Sequence, residues 1–168
     1  MADFLKSSAV VIQDKKMLMV KDYNKSYLGM LGGTIEQGET LIESLKREII
    51  EEIGVTNFEI LDSEPFYSAK APAGSDLSKT VEIHCFKVIL NQTPMPTYNK
   101  NNQKRVDAGF NISEIHWIGI NELEVIKEYS KPFYKLNKNV KDDEGNTLTL
   151  TPITEEFIFP ELIRLKLI

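Results

Sequence analysis

Three carboxylates crowd one short stretch of the chain: Glu48, Glu51 and Glu52. On a helix, at about 100° per residue, they fall within one arc of about 100°. Charges in such a run usually form a solvated face. Like charges three and four residues apart repel, however, by a few tenths of a kcal/mol per pair in water. By their angular position Lys46 and Arg47 lie off this cluster. Hard oxygen ligands gathered at short range are what Mg²⁺ or Mn²⁺ requires. The array therefore reads as one that is unfavourable alone and relieved by a divalent cation.

The element that must carry these acids is the clearest helix in the sequence. Thr40 with Glu43 three residues on has the form of a capping box, and Gly54 supplies a stop. Ile42, Leu45, Ile49 and Ile53 form an apolar stripe beside the acidic arc. Before it, Ser7 to Gln13 and Met17 to Val20 read as two strands joined by a polar turn at Asp14-Lys15-Lys16. Tyr23 to Leu31 reads as a loop and a short strand, punctuated by Gly32-Gly33. Further strands are expected at Phe58-Leu61, Glu64-Ala69, Thr80-Leu90 and Ile115-Ile118. Ala71 to Ser75 reads as a turn, and residues 91 to 109 as a long surface loop. Asn121 is expected to cap a helix through Tyr129. Lys135 to Val140 and Thr147 to Thr151 are expected to flank a hairpin, followed by a terminal helix from Thr154 to Lys166 that Pro160 interrupts.

Composition bounds the function. The chain has 168 residues, 42% hydrophobic and 27% charged, an ordinary globular mix sized for one domain. No stretch approaches the roughly 20 apolar residues of a membrane helix, and the N-terminus lacks the apolar core of a secretory signal. The single cysteine, Cys85, sits in an alternating strand pattern, where a buried side chain is the expected fate. A lone cysteine suits a reducing compartment, so a cytoplasmic location is expected. The net charge of −5 argues against a general nucleic-acid binder. It leaves room for phosphorylated small molecules when a cation stands between the negative partners.

Gly33 is followed after five residues by Glu39, and after seven more by Arg47-Glu48-Ile49; then come Glu51-Glu52 and Gly54-Val55. This run resembles the Nudix signature at every defining position. Seven fixed residues, each roughly 7% frequent, coincide by chance on the order of 10⁻⁸ per start position. The resemblance implies an α/β fold, an α/β/α sandwich with a mixed β-sheet, spanning residues 1 to 168 as one domain. Residues 131 to 168 then form a C-terminal hairpin and helix extension. It also implies Glu48, Glu51 and Glu52 as ligands for Mg²⁺ or Mn²⁺, with the Gly33 carbonyl as a further ligand and Gly33 itself needing unusual backbone freedom. Arg47 is expected to pair with Glu39 and steady the loop against the helix, and Gly54 to close the motif. Two departures stand out: Leu31 where the family often has proline, and Leu28 where it often has tryptophan.

The implied activity is metal-dependent hydrolysis of a diphosphate linkage in a nucleoside diphosphate joined to another group. The general base is expected either in the helix, at Glu48, or on a later segment at Glu114, Glu82 or Asp107, with Glu114 slightly favoured. His84, His116 and Trp117 are expected to be structural. Phe4, Tyr23, Tyr27, Phe66, Tyr67 and Phe110 are all candidates for stacking on a base, and Asn111 for reading its edge; nothing in the sequence ranks them. The basic run Lys100 to Arg105 reads first as a solvated loop, with binding of phosphates or a capped RNA end as the alternative. Nucleoside triphosphates are weakly favoured over ADP-ribose, nucleotide sugars and dinucleotides. An isoprenoid diphosphate isomerase and a non-catalytic nucleotide-binding module are the rival classes. No nucleic-acid or membrane partner is expected, and a homodimer is left open.

Overall fold

Ser7–Gln13 and Met17–Val20 are too apolar to stand apart in water, and the polar link between them folds one back on the other. The computed structural model describes residues 2–73, 76–127 and 133–168. In it β1 spans Phe4–Val10, β2 Ile12–Gln13 and β3 Lys16–Asp22. Asp14 and Lys15 both take left-handed backbone, φ 50° and 61°, which matches a two-residue turn to the twist of its strands.

β4, Tyr27–Thr34, pairs antiparallel with β3 through its first half and with β1 through its second. It holds Gly32 and Gly33 within the strand, where the sequence suggested punctuation. The reason is space. A Cβ at Gly32 would overlap the Ser7 carbonyl, and one at Gly33 would overlap the Glu48 carboxylate.

α1 spans Leu41–Ile53, and both halves of its capping box form. Thr40 Oγ1 accepts from the Glu43 amide at 3.2 Å, and the Glu43 carboxylate accepts from the Thr40 amide at 2.8 Å. Gly54 ends the helix with φ 66°, the left-handed cap that glycine adopts without strain. Leu45, Ile49 and Ile53 are fully buried.

Beyond α1 come β5 (Phe58–Ile60), β6 (Tyr67–Ala73), β7 (Asp76–Leu90), α2 (Gln103–Asp107) and β8 (Ile112–Ile118). The chain closes with β9 (Leu123–Ile126), β10 (Phe133–Leu136), β11 (Thr149–Leu150) and α3 (Phe159–Arg164). Among the described residues nine strands form one mixed sheet, in the order β2-β3-β4-β1-β7-β5, with β8 on β3, β6 on β7 and β11 on β4. β1 pairs parallel with β7, and β4 with β11; the other pairs are antiparallel.

Alternation along the strands divides the core into two layers. Leu18 and Val20 join Leu45, Ile49 and Ile53 of α1 on one face. Met17 and Met19 join Leu148, Leu150, Ile158, Phe159 and Leu162 from the C-terminal segment on the other. Helices thus cover both faces of a mixed sheet, as the sandwich expectation requires.

Several local expectations are corrected. Ala71–Ala73 continue β6, shifting register after Pro72, and Gly74 and Ser75 lie outside the described residues. The loop at 91–109 contains the short α2. The helix expected from Asn121 is a single 3₁₀ turn, Ile120–Glu122, followed by β9, which pairs with β10; Tyr129 lies outside the described residues. Because β9 claims β10, the hairpin expected between 135–140 and 147–151 shrinks to the bridge Lys141↔Thr147. The Asp142 carboxylate ties its turn, accepting from the Asn146 and Glu144 amides at 2.7 and 3.1 Å. Pro160 sits in the first turn of α3, where its missing N–H costs nothing. A widened π-helical turn, Thr154–Ile158, leads into it. No helix among the described residues is long and apolar enough to cross a membrane.

Candidate functional site

α1 turns its acidic arc toward β4, and the two glycines of β4 receive it. The Gly32 amide donates to Glu52 Oε2 at 2.7 Å, while the Glu48 carboxylate fills the space left by the missing Cβ of Gly33. Left-handed backbone belongs to Gly32, at φ 128°, and not to Gly33. What Gly33 supplies is room. Glu51 lies under Gly109, whose Cβ would come within 2.9 Å of Glu51 Oε2.

Arg47 is not off this cluster; it is at its centre. Its Nη1 donates to Glu48 Oε1 at 2.9 Å and to Glu51 Oε2 at 3.1 Å. Nε and Nη2 form a two-point contact with Glu39, at 2.7 and 3.0 Å, the geometry in which a planar guanidinium binds a carboxylate best. Nη2 also reaches the Thr34 carbonyl at 3.3 Å, which fastens the end of β4 to the helix. Position 47 is only 40° around the helix from position 51, and the long side chain covers that gap. Among the described residues no three His, Cys, Asp or Glu side chains gather as a preformed metal-ligand set; Arg47 and the Gly32 amide hold the acids instead.

The carboxyls differ in their affinity for protons. The Arg47 hydrogen bond brings Glu39 down to about 2. Burial pushes Glu48 up against the opposing pull of Arg47. Glu52 is raised well above the ordinary range, again by burial first, with the charges of Glu48 and Asp22 adding to it and the Gly32 amide opposing.

The loop after β7 closes around the exit of α1. The Thr97 hydroxyl donates to the Glu51 and Glu52 carbonyls at 2.7 and 3.0 Å, and the Met95 amide to the Ile53 carbonyl at 3.0 Å. The Tyr98 ring stacks on Tyr23, centroids 4.4 Å apart and planes within 3°. The Arg105 guanidinium lies 4.5 Å over the Phe110 ring, and Asn111 Nδ2 donates to Asp22 Oδ2 at 2.8 Å. Thr97, Tyr98 and Asp22 carried no warning in the sequence. For Thr97 and Tyr98 the reason is that an irregular polar loop has no period to reveal which of its residues turn inward; Asp22 ends β3, where the strand pattern breaks off.

The NUDIX domain family model matches residues 4–138, most of the chain and all of the segment that builds this cluster. The chain belongs to the Nudix family. Solved structures agree at the level of fold. A UDP-X diphosphatase superposes with a TM-score of 0.56 at 17% identity, over 72% of this chain and 53% of its own. A MutT/nudix family protein from Enterococcus faecalis gives 0.52 at 17% identity, covering 96% of this chain and 62% of that one. A protein described as a possible asymmetric diadenosine tetraphosphate hydrolase, from Jonesia denitrificans, gives 0.53 at 15%, covering 69% and 76%. The chain spans about half the length of the UDP-X diphosphatase it matches.

Within this Nudix fold Glu114 lies apart from the signature acids. β8 alternates, so Ile115 and Trp117 turn toward the α1 layer while Ile118 joins the other. Glu114, in phase with Ile118, is buried on the far face, 3.2 Å from Lys21 Nζ and 2.9 Å from His116 Nε2. It also accepts from the Asp143 amide at 3.3 Å. Glu82 lies 3.5 Å from His84, whose other nitrogen meets Ser68 Oγ at 2.9 Å. Cys85 is fully buried, and burial pushes its thiol up to about 12. A cavity of about 930 Å³ opens between β8, the end of β7 and the start of the following loop; Glu114, His116, Asp143 and Trp117 line it, and no signature acid does. Charge, glycine clearance and the arginine converge at the acids instead.

Proposed function

We propose that this protein hydrolyses a diphosphate linkage in a nucleoside diphosphate joined to another group, using a divalent cation, Mg²⁺ or Mn²⁺. The observation that carries the reading is the clearance at Gly33, a backbone position kept bare so that the Glu48 carboxylate can lie against it. A solvated acidic face needs no such cradle. The donor set also fits the cation: Glu48, Glu51 and Glu52 offer hard oxygens from one helix, beside the Gly33 carbonyl. Bound there, the cation would neutralise phosphate charge and lower the pKa of a coordinated water.

The chain's own residues supply the rest. Arg47 fixes Glu48 and Glu51 relative to each other, so that little reorganisation is needed as charge develops. Glu48, against the β4 backbone, takes the proton of the attacking water. The new P–O bond forms in line with the bridging P–O bond, which breaks and leaves its electron pair on the departing phosphate. Glu114, paired with Lys21 and His116 on the far face, is not assigned this step. Glu48 and Glu52 are partly shielded from solvent, where each charge interaction counts for more.

Nucleoside triphosphates are favoured over ADP-ribose, nucleotide sugars and dinucleotides, in a cytoplasmic protein whose Nudix domain includes residues 131–168. The test is product release from a panel of these compounds by purified protein, with Mg²⁺, with Mn²⁺ and with EDTA. At least one should be cleaved at its diphosphate only when the cation is present. Equal rates in EDTA, or no cleavage of any, would contradict the reading.

A further inference from the structure

Of the aromatic residues open to base stacking, most are committed elsewhere. Phe66 and Tyr67 pack on the far core layer, and Phe4 lies under Lys79. The Tyr23–Tyr98 pair is different, because the loop that holds Tyr98 is the one fastened by Thr97 to the Glu51 and Glu52 carbonyls. Against this loop lies a cavity of about 340 Å³, within the usual range for small-molecule clefts. Gly54 at the exit of α1 forms part of its wall, with Thr97, Tyr98, Asn99 and Arg105. Tyr23 covers one face of the Tyr98 ring and is not among the residues that line the cavity, whereas Tyr98 is.

Three properties define what this cavity takes. Tyr98 offers a π-surface held from behind by Tyr23, and its amide is anchored to the Ile112 carbonyl at 2.8 Å, so little ordering is needed on binding. Arg105 lies with its guanidinium over Phe110, which leaves its N–H edge for in-plane hydrogen bonds. That edge only donates, so it matches a group with adjacent acceptors. The C-terminal end of α1 is the negative end of the helix dipole, which disfavours phosphate at Gly54 and leaves this cavity to an uncharged group.

We propose that this cavity receives the base of the substrate and that Arg105 selects a 6-oxopurine, whose O6 and N7 are two adjacent acceptors, over a 6-aminopurine, which puts a donor against the donor edge. The assignment rests on the diphosphate-hydrolase reading: no signature acid lines the cavity, and Ile53 and Gly54, directly after Glu52, connect it to the acidic helix. Tyr98 supplies the stacking surface and Arg105 the discrimination.

The test uses inosine and adenosine, which carry no phosphate, so binding is read independently of cation and turnover. Titration into the ¹⁵N-labelled protein, followed by NMR shifts, should show inosine binding about tenfold more tightly than adenosine. Arg105→Ala should erase that preference and Arg105→Lys should reduce it, since an ammonium still donates to O6 and N7 but lacks the planar two-point fork. Tyr98→Ala should weaken both nucleosides and Tyr98→Phe neither, with the spectra reporting that the fold persists. Equal binding of the two nucleosides, absence of binding, or a preference that survives in Arg105→Ala overturns the assignment. A protein that shows the preference yet cleaves no diphosphate overturns the hydrolase reading and leaves a 6-oxopurine site in place.

Discussion

Arg47 makes the acid cluster tolerable, and its partners titrate in opposite directions. Glu39, held at about 2 by its two-point contact with Arg47, has a folded value below its ordinary 4.5. A depressed carboxylate contributes stability that is complete above the unfolded value and lost as pH falls toward the folded one. Glu39→Gln should therefore lower the melting temperature at pH 7, and the gap from wild type should close between about pH 4.5 and pH 2, as melting curves across that range would show. A gap that stays constant with pH would mean the contact is not charge-assisted. Glu48 and Glu52 run the other way, because burial raises both and their charged forms weigh against the fold once the pH passes their folded values. At this scale the sequence is readable where spacing alone decides. Three acids at positions 48, 51 and 52 share a helix face because 3.6 residues make a turn. The reach of Arg47 across 40° of helix surface is a matter of side-chain length and rotamer, and angular position alone hides it.

At the scale of elements, β4 and α1 make the site together. Gly32 and Gly33 look alike in sequence and do different work. Gly32 combines φ 128° with contact against the Ser7 backbone, so Gly32→Ala should destabilise by about 1–3 kcal/mol or more. Gly33 meets only the end of the Glu48 side chain, which can move aside. Gly33→Ala should leave urea stability within about 1 kcal/mol of wild type while turnover falls at least tenfold through the displaced Glu48. A matched loss of stability and turnover in Gly33→Ala would make its role structural only. α1 was readable because its cap, its stripe and its glycine stop are all local. The segment after Asn121 is not, because its strand is decided by pairing with β10, from Phe133–Ile126 to Leu136–Leu123, which no local period reveals. The Thr97–Tyr98 wall was hidden for a related reason: its contacts are to carbonyls of a helix some 45 residues earlier.

Over the whole molecule, the segment after residue 138 completes one of the two core layers. The family match ends at residue 138, yet Leu148, Leu150, Ile158, Phe159 and Leu162 pack with Met17 and Met19. Phe159 is fully buried there, so Phe159→Ala should cost about 3–5 kcal/mol in urea unfolding. A loss under 1 kcal/mol would show the extension to be an appendage. That packing holds β3 and β4 from behind while α1 presents its acids in front, which is why the position of the site depends on both layers. Glu52→Gln tests most directly whether the acidic face of α1 performs the hydrolysis. Gln keeps an acceptor for the Gly32 amide that Glu52 now receives at 2.7 Å, so the fold should persist and its melting temperature should not fall. With saturating Mg²⁺ and whichever diphosphate the wild type cleaves best, kcat should drop by at least about a hundredfold. Turnover by a folded Glu52→Gln protein at the wild-type rate would contradict the account.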